Sequence, residues 1–152
     1  MFSNTEPELS HLIQKENDRV CKLLQGRTSI KKEEFASNKY LTTLIIPNTI
    51  ESIEYGAFKN CNRLVSIIIP KSVVRIDSCA FENCTSLCNI KIPGNVKKIK
   101  SKVFSNCSNL INVCLCEGIE YIDNNAFEMS GVVSLSLPNS LLKCDYYAFY
   151  KC

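Results

Sequence analysis

Several kinds of active site are excluded by residues that this chain has in small number. Its 152 residues include one histidine, His11, and only five glycines. A cysteine or serine nucleophile normally needs a nearby base, and one histidine in a segment with helical periodicity is a poor candidate. Five glycines, scattered, form no glycine-rich phosphate loop. The paired acids Glu33 and Glu34 are interpreted as solvated surface. The sequence therefore predicts a non-enzymatic protein without a cofactor or metal.

Charge and hydropathy exclude other classes. The formal net charge is +3, and the 18 lysines and arginines are scattered along the chain, so no nucleic-acid partner is predicted. No run approaches the roughly 18 apolar residues of a membrane span. Residues 1–12 lack the basic start and apolar stretch of a signal peptide. The default expectation is a cytoplasmic protein with no transmembrane segment.

What the chain does have is a 23-residue repeat. Its clearest mark is the segment Ala-Phe-x-Asn-Cys, complete at residues 57–61 and 80–84 and altered at 103–107 and 148–152. Its phenylalanine recurs every 23 residues, and once after 22, at Phe58, Phe81, Phe104, Phe127 and Phe149. A second slot holds Pro47, Pro70, Pro93, Cys116 and Pro138. Five units are recognisable, and a degenerate one begins near Ile30.

The pattern within each unit predicts a short strand followed by a turn. Alternation in Ile90-Lys91-Ile92 places the first and third side chains on one face. Proline then ends the strand because it has no N–H to donate. One coil cannot bury its apolar face alone, but stacked coils form a continuous core with parallel strands about 4.8 Å apart.

These residues resemble the BspA-like leucine-rich-repeat family, which is marked by a Leu-x-x-Ile-x-Ile-Pro strand and an Ala-Phe-x-Asn-Cys turn. The resemblance covers residues 30–152. It implies a right-handed leucine-rich-repeat solenoid, with short parallel β-strands on the concave face and turns and short helical segments on the convex face. Family members are commonly surface-associated and implicated in adhesion and host-protein binding. The resemblance therefore implies an adhesin-like role at the cell surface.

Residues 1–29 do not fit the repeat and are predicted to form a separate N-terminal unit. Thr5-Glu6-Pro7-Glu8 has capping-box spacing, and Gly26 can end a helix. Apolar residues fall largely on one helical face, at Leu9, Leu12, Ile13, Val20, Leu23 and Leu24. We predict an amphipathic helix over about residues 6–25 that caps the first coil. The alternative is a helix that docks onto a partner or a membrane surface.

Four of the ten cysteines share one slot of the repeat, at Cys61, Cys84, Cys107 and Cys152. Asn38 and Ser130 fill this slot in other units. All three residue types are small and can form hydrogen bonds, so we interpret the slot as a row of reduced structural thiols beneath backbone carbonyls. Cys114 and Cys116 form a Cys-x-Cys, and Cys84 and Cys88 are four residues apart. The strand slots around Cys114 hold Ile68, Lys91 and Ser136, which are not ligands, so a redox or metal site ranks low.

The outward strand positions are the candidate binding surface, because the inward ones belong to the core. They are Thr43, Ile45, Ser66, Ile68, Asn89, Lys91, Asn112, Cys114, Ser134 and Ser136. Such a broad, weakly charged surface suits a protein or peptide better than a small charged metabolite. The leading hypothesis is a protein–protein interaction module, and the alternative is an intracellular scaffold that docks through its N-terminal helix.

The C-terminal end carries one further expectation. The solenoid of residues 30–152 shows no capping segment after Cys152. The strand expected around Ser134–Leu137 would then have a free edge, and free edges pair readily with another chain. We expect either a longer natural chain or self-association through this end.

Overall fold

The protein is one helix followed by a parallel β-solenoid of about five turns. The computed structural model describes residues 6–152, so Thr5 of the predicted capping box lies outside the described residues. Helix α1 spans Glu6–Leu24, which confirms the helix predicted over residues 6–25. The solenoid confirms the predicted fold class.

Each complete coil contributes two short strands. In the described residues they are Ser29–Ile30 (β1), Thr43–Ile45 (β2), Ser52–Ile53 (β3), Ser66–Ile68 (β4), Arg75–Ile76 (β5), Asn89–Ile92 (β6), Lys98–Ile99 (β7), Asn112–Leu115 (β8), Tyr121–Ile122 (β9) and Lys143–Cys144 (β10). Strands β2, β4, β6 and β8 pair in parallel as one four-stranded sheet, here called the front sheet. The others form the ladders β1-β3-β5 and β7-β9-β10. Because Leu44 pairs with Ile67 and Ile90 with Val113, the repeat length of 23 is also the strand register.

The Ala-Phe-x-Asn-Cys segments are tight turns that form a third row of bonds between coils. The N–H of Phe58 donates to the carbonyl of Ala80 in the next coil at 2.8 Å, and the same bond recurs along the solenoid. The residues two before and two after each phenylalanine often have left-handed backbones, as at Gly56 (φ 59°) and Asn60 (φ 61°). Asparagine tolerates this conformation better than most residues. This explains the asparagine of the motif, for which the sequence alone gave no reason.

The core is organised around a file of six phenylalanine rings. Neighbouring ring centroids are 5.1 to 5.5 Å apart. The four central rings, of Phe58, Phe81, Phe104 and Phe127, are fully buried. Inward leucines, isoleucines and valines of the strands complete the core on either side. Each apolar slot of the repeat therefore becomes a continuous row perpendicular to the coils.

Helix α1 covers the first coil in the way that a preceding coil would. Val20 and Leu24 are fully buried against the core. The side-chain Oδ1 of Asn17 accepts the backbone N–H of Thr42 at 3.1 Å. In the next coil, the N–H of Val65 donates instead to the carbonyl of Thr42, at 2.8 Å. The side-chain amide of Asn17 thus replaces the missing backbone acceptor, which supports the capping interpretation of the helix.

The fifth unit contradicts one prediction, because no strand forms at Ser134–Leu137. Within the described part of the chain, residues 132–137 make no backbone hydrogen bond to β8. The unit has one residue fewer than the others between its Cys slot and Pro138. A strand of period two cannot lose a residue and keep all its side chains on their faces, so pairing is lost here.

The last hydrogen-bonded strand of the front sheet is consequently β8, one coil earlier than predicted, and the unpaired segment around Ser134–Ser136 lies beside it. The N–H groups of Asn112 and Cys116 donate back to the preceding coil, to the carbonyls of Cys88 and Ile92. Backbone groups alternate in direction along a strand, so those of Val113 and Leu115 point away from β6.

The phenylalanine file gives a first test. We expect Phe81→Ala to lower the free energy of unfolding by about 3–5 kcal/mol, because it empties a fully buried site between two rings. Phe149→Ala is the matched control, since this ring is only half-buried and stacks on one neighbour. Urea unfolding followed by circular dichroism measures both. Equal losses would contradict a core organised around the central rings.

The cap gives a second test. Asn17→Ala should lower the free energy of unfolding by about 1–2 kcal/mol, because it leaves the N–H of Thr42 without its acceptor. Lys15→Ala, an exposed change on the same helix, should alter it by less than about 0.5 kcal/mol. Chemical denaturation compares the two variants. If Asn17→Ala leaves the free energy of unfolding unchanged, the amide does not contribute to capping.

Candidate functional site

The front sheet brings together eight of the ten predicted binding residues. In register across β2, β4, β6 and β8 they are Thr43, Ser66, Asn89 and Asn112 in one row, and Ile45, Ile68, Lys91 and Cys114 in the next. Ser66 is half-buried, and the other seven are exposed. Ser134 and Ser136 are also exposed, but they lie on the unpaired segment beyond β8. We call the first row the polar row and the second the apolar row.

The polar row uses part of its hydrogen-bonding capacity within the protein. Nδ2 of Asn112 donates to Oδ1 of Asn89 at 2.7 Å, and Oγ1 of Thr43 accepts a bond of 3.3 Å from Nδ2 of Asn17. Asparagine has four hydrogen-bonding sites on its side chain, so each amide keeps capacity for a ligand. The row therefore offers donors and acceptors on a surface of limited flexibility.

The apolar row exposes hydrophobic surface that the fold does not require. Ile45 and Ile68 are 66% and 56% exposed although they sit side by side on adjacent strands. Isolated exposed apolar residues are common, but adjacent ones that form a patch indicate a contact surface. Lys91 and Cys114 continue the row on β6 and β8.

Two shallow depressions lie along this face and share Ser66. One, of about 660 Å³, lies over Asn89, Lys91, Asn112 and Cys114 and extends to Ser134 and Ser136. The other, of about 390 Å³, lies between helix α1 and the apolar row. Because they meet, the face is one elongated, open surface, a shape that accommodates an extended chain better than a compact small molecule.

The second depression brings in helix residues that sequence reasoning missed. Gln14, Asn17, Asp18 and Cys21 line it opposite Ile45 and Ile68. These residues lie on the helix, and the repeat pattern that located the strand positions does not extend to the helix. Only the packing angle of α1 on the first coil brings them to the edge of the front sheet.

Three of the four slot cysteines are buried hydrogen-bond donors, whereas Cys152 in the last coil donates to the carbonyl of Phe127 at 3.0 Å but is exposed. The Sγ atoms of Cys61, Cys84 and Cys107 donate to the carbonyls of Phe35, Phe58 and Phe81 at 3.1 to 3.2 Å. Burial raises the pKa of Cys61 and of Cys107 to about 12, and that of Cys84 well above its ordinary value. Thiols with such pKa values stay protonated at neutral pH, and the protonated form is neither a nucleophile nor a metal ligand.

The remaining candidate groups do not converge on one place. His11 is exposed on α1. Glu34, interpreted from sequence as solvated surface, instead forms a two-bond ion pair with Arg27 at 2.6 and 2.9 Å. Across residues 6–152, no three or more His, Cys, Asp or Glu side chains are arranged to hold a metal ion. Helix α1, the one helix in that same range, is not both long and apolar enough to cross a membrane.

Comparison with known proteins agrees with this architecture. The family model described as a BspA type leucine rich repeat region matches residues 28–152 in six copies. A leucine-rich repeat protein from Bacteroides ovatus is 31% identical, covers 66% of this chain and 28% of its own, and has a TM-score of 0.63. A leucine rich cell surface protein from Faecalibacterium prausnitzii is 26% identical, with 82% of this chain and 40% of that one covered and a TM-score of 0.64.

A leucine rich repeat protein from T. pallidum is 29% identical, with 66% of this chain and 47% of that one covered and a TM-score of 0.64. The chain thus spans less than half the length of each of these three structures. No curated protein matches the chain.

The buried thiols predict a pH dependence of stability. The pKa of Cys61 rises from an ordinary 9.0 to about 12 on folding. The contribution of this thiol to the free energy of unfolding is therefore complete below pH 9 and is lost as the pH rises towards 12. Between these limits each such thiol should lower the free energy of unfolding by about 1.4 kcal/mol per pH unit.

The matched variant is Cys61→Ser combined with Cys107→Ser, since Ser130 fills the same slot naturally and serine does not ionise in this range. Urea unfolding at pH 8 to 11 should show a shallower decline in this variant than in the parent protein. Equal slopes would contradict the assigned burial of the thiols.

Proposed function

We propose that this chain, which belongs to the BspA-type leucine-rich-repeat family, is a non-enzymatic module that binds a protein or peptide through its front sheet. The observation that carries the proposal is the exposed pair Ile45 and Ile68 beside a polar row on one open face. A contact surface commonly combines an apolar centre with hydrogen-bonding groups around it.

An adhesin-like role is the form of this function that we favour. One similar structure, at 26% identity, is described as a cell surface protein. The proposal extends that location to this chain, with a host or partner protein as the ligand. The partner would then meet the front sheet from outside the cell.

An intracellular scaffold that docks through α1 is less well supported. Val20 and Leu24 of the helix are buried in the core, and the side chain of Asn17 bonds to Thr42 and Thr43 of the first coil. The fold thus uses part of the apolar face, while Leu9, Leu12 and Ile13 stay half-buried and Leu23 stays exposed, so only this remaining part is left for a partner.

Self-association at the C-terminal end is a second part of the proposal, with β8 in place of the strand expected at Ser134–Leu137. A strand of another copy could pair with the outward backbone groups of Val113 and Leu115 by displacing the unpaired segment around Ser134–Ser136, which lies beside them. Leu137 and Leu142, both exposed, lie in the following coil and would be partly covered by such a contact.

Ile68→Glu tests the front-sheet proposal. A charge at the centre of the apolar row should reduce recovery of bound partner roughly tenfold or more, as when an interface hot spot is lost. Recovery is measured by pull-down of chemically cross-linked partner, quantified by mass spectrometry. Arg63→Glu, an exposed change outside both front-sheet depressions, is the control and should leave recovery unchanged. Equal recovery by all three proteins would overturn the front-sheet proposal.

A further inference from the structure

The isoleucine pair of the apolar row, Ile45 and Ile68, is flanked by two charges of opposite sign. Asp18 of helix α1 lines the same depression as Ile45 and Ile68. Lys91 continues the row on β6, two strands from Ile45. Strands are about 4.8 Å apart, so the backbone positions of Ile45 and Lys91 are separated by roughly 10 Å.

Neither charge forms a salt bridge in the part of the chain that the structure describes. Nine salt bridges occur in the described residues, and most join coils along other faces, as between Lys59 and Glu82 at 2.8 Å. None of these nine involves Asp18 or Lys91. The carboxylate of Asp18 accepts a bond of 2.9 Å from the neutral side chain of Gln14. Both groups are exposed and face the depressions.

We propose that the front sheet binds an extended segment with an apolar centre, a basic side chain at one end and an acidic side chain at the other. This inference rests on the proposed function and specifies its ligand. The apolar centre covers Ile45 and Ile68, the basic group meets Asp18, and the acidic group meets Lys91. Side chains of an extended segment alternate between its two faces, so the acidic residue that shares a face with the one over Ile45 lies two residues beyond it. At about 3.3 Å per residue it is about 7 Å along the chain, and its side chain and that of Lys91 span the remaining distance. The amides of Asn89 and Asn112 lie beside this path and can bond to the segment's backbone.

Complementary charges of this kind act mainly on selectivity. Exposed ion pairs add little affinity, but like charges placed opposite each other disfavour the wrong ligand. A segment with two basic or two acidic ends would always place one end against a like charge. The sheet should therefore discriminate among peptides of equal hydrophobicity by the sign of their ends.

The test uses three synthetic peptides with the same apolar centre and with basic–acidic, basic–basic or acidic–acidic ends, measured against the full chain by fluorescence anisotropy. The parent protein should bind the basic–acidic peptide at least about fivefold more tightly than the others. Asp18→Lys should shift the preference to acidic–acidic ends, and Lys91→Glu to basic–basic ends. The double variant should again prefer basic–acidic ends, because the peptide can bind in the reverse direction.

Glu51→Lys and Arg63→Glu are control charge reversals at exposed positions outside the two depressions and should leave the ranking unchanged. Equal binding of the three peptides, still weakened by Ile68→Glu, would overturn the charge pattern and leave the front-sheet function intact. Binding that Ile68→Glu does not weaken, or no binding of any peptide, would count against both.

Discussion

The constraint on which this structure depends is that each coil satisfies its backbone polar groups through its neighbours. Within a coil the strands are two to four residues long and do not pair with each other. Apart from turn bonds inside each coil, such as that from the N–H of Ala57 to the carbonyl of Glu54, the bonds run from coil to coil, in the front sheet, in the ladders on the other side and in the row of tight turns. Because buried backbone groups must be paired, one register has to serve all three rows at once. A fixed repeat length meets that requirement, which is why the 23-residue period is so regular.

That constraint also explains which features could be predicted from the sequence. Inward residues, the strand-ending prolines and the slot of Cys61 all follow from period and residue type. The break after β8 corresponds to a missing residue before Pro138 in the sequence, but the prediction of a strand at Ser134–Leu137 was wrong. The sequence suggested a shortened unit that still formed a strand, whereas the row of turns keeps its register at Phe127 and Phe149 and the front strand is lost.

Of the candidate site, the strand positions could be predicted from the sequence and the helix residues could not. Outward strand positions alternate with core positions, so Ile45 and Ile68 could be assigned from period alone. The helix side of the site could not, because Asp18 reaches the front sheet through the packing of Val20 and Leu24 on the first coil. No local pattern encodes such an orientation. The contacts between helix α1 and the first coil depend on how their side chains fit together, and the repeat pattern alone does not describe that fit.

The dual position of α1 has a functional consequence. Asn17 completes the hydrogen bonding of the first coil, and Asp18, the next residue, faces the proposed ligand path. Capping and the proposed recognition therefore share one turn of helix. A change that tilts the helix would move Asp18 relative to Ile45 even if the front sheet stayed intact. The solenoid thus supplies the apolar row, and the packing of helix α1 on the first coil determines where the negative end of the proposed binding surface lies.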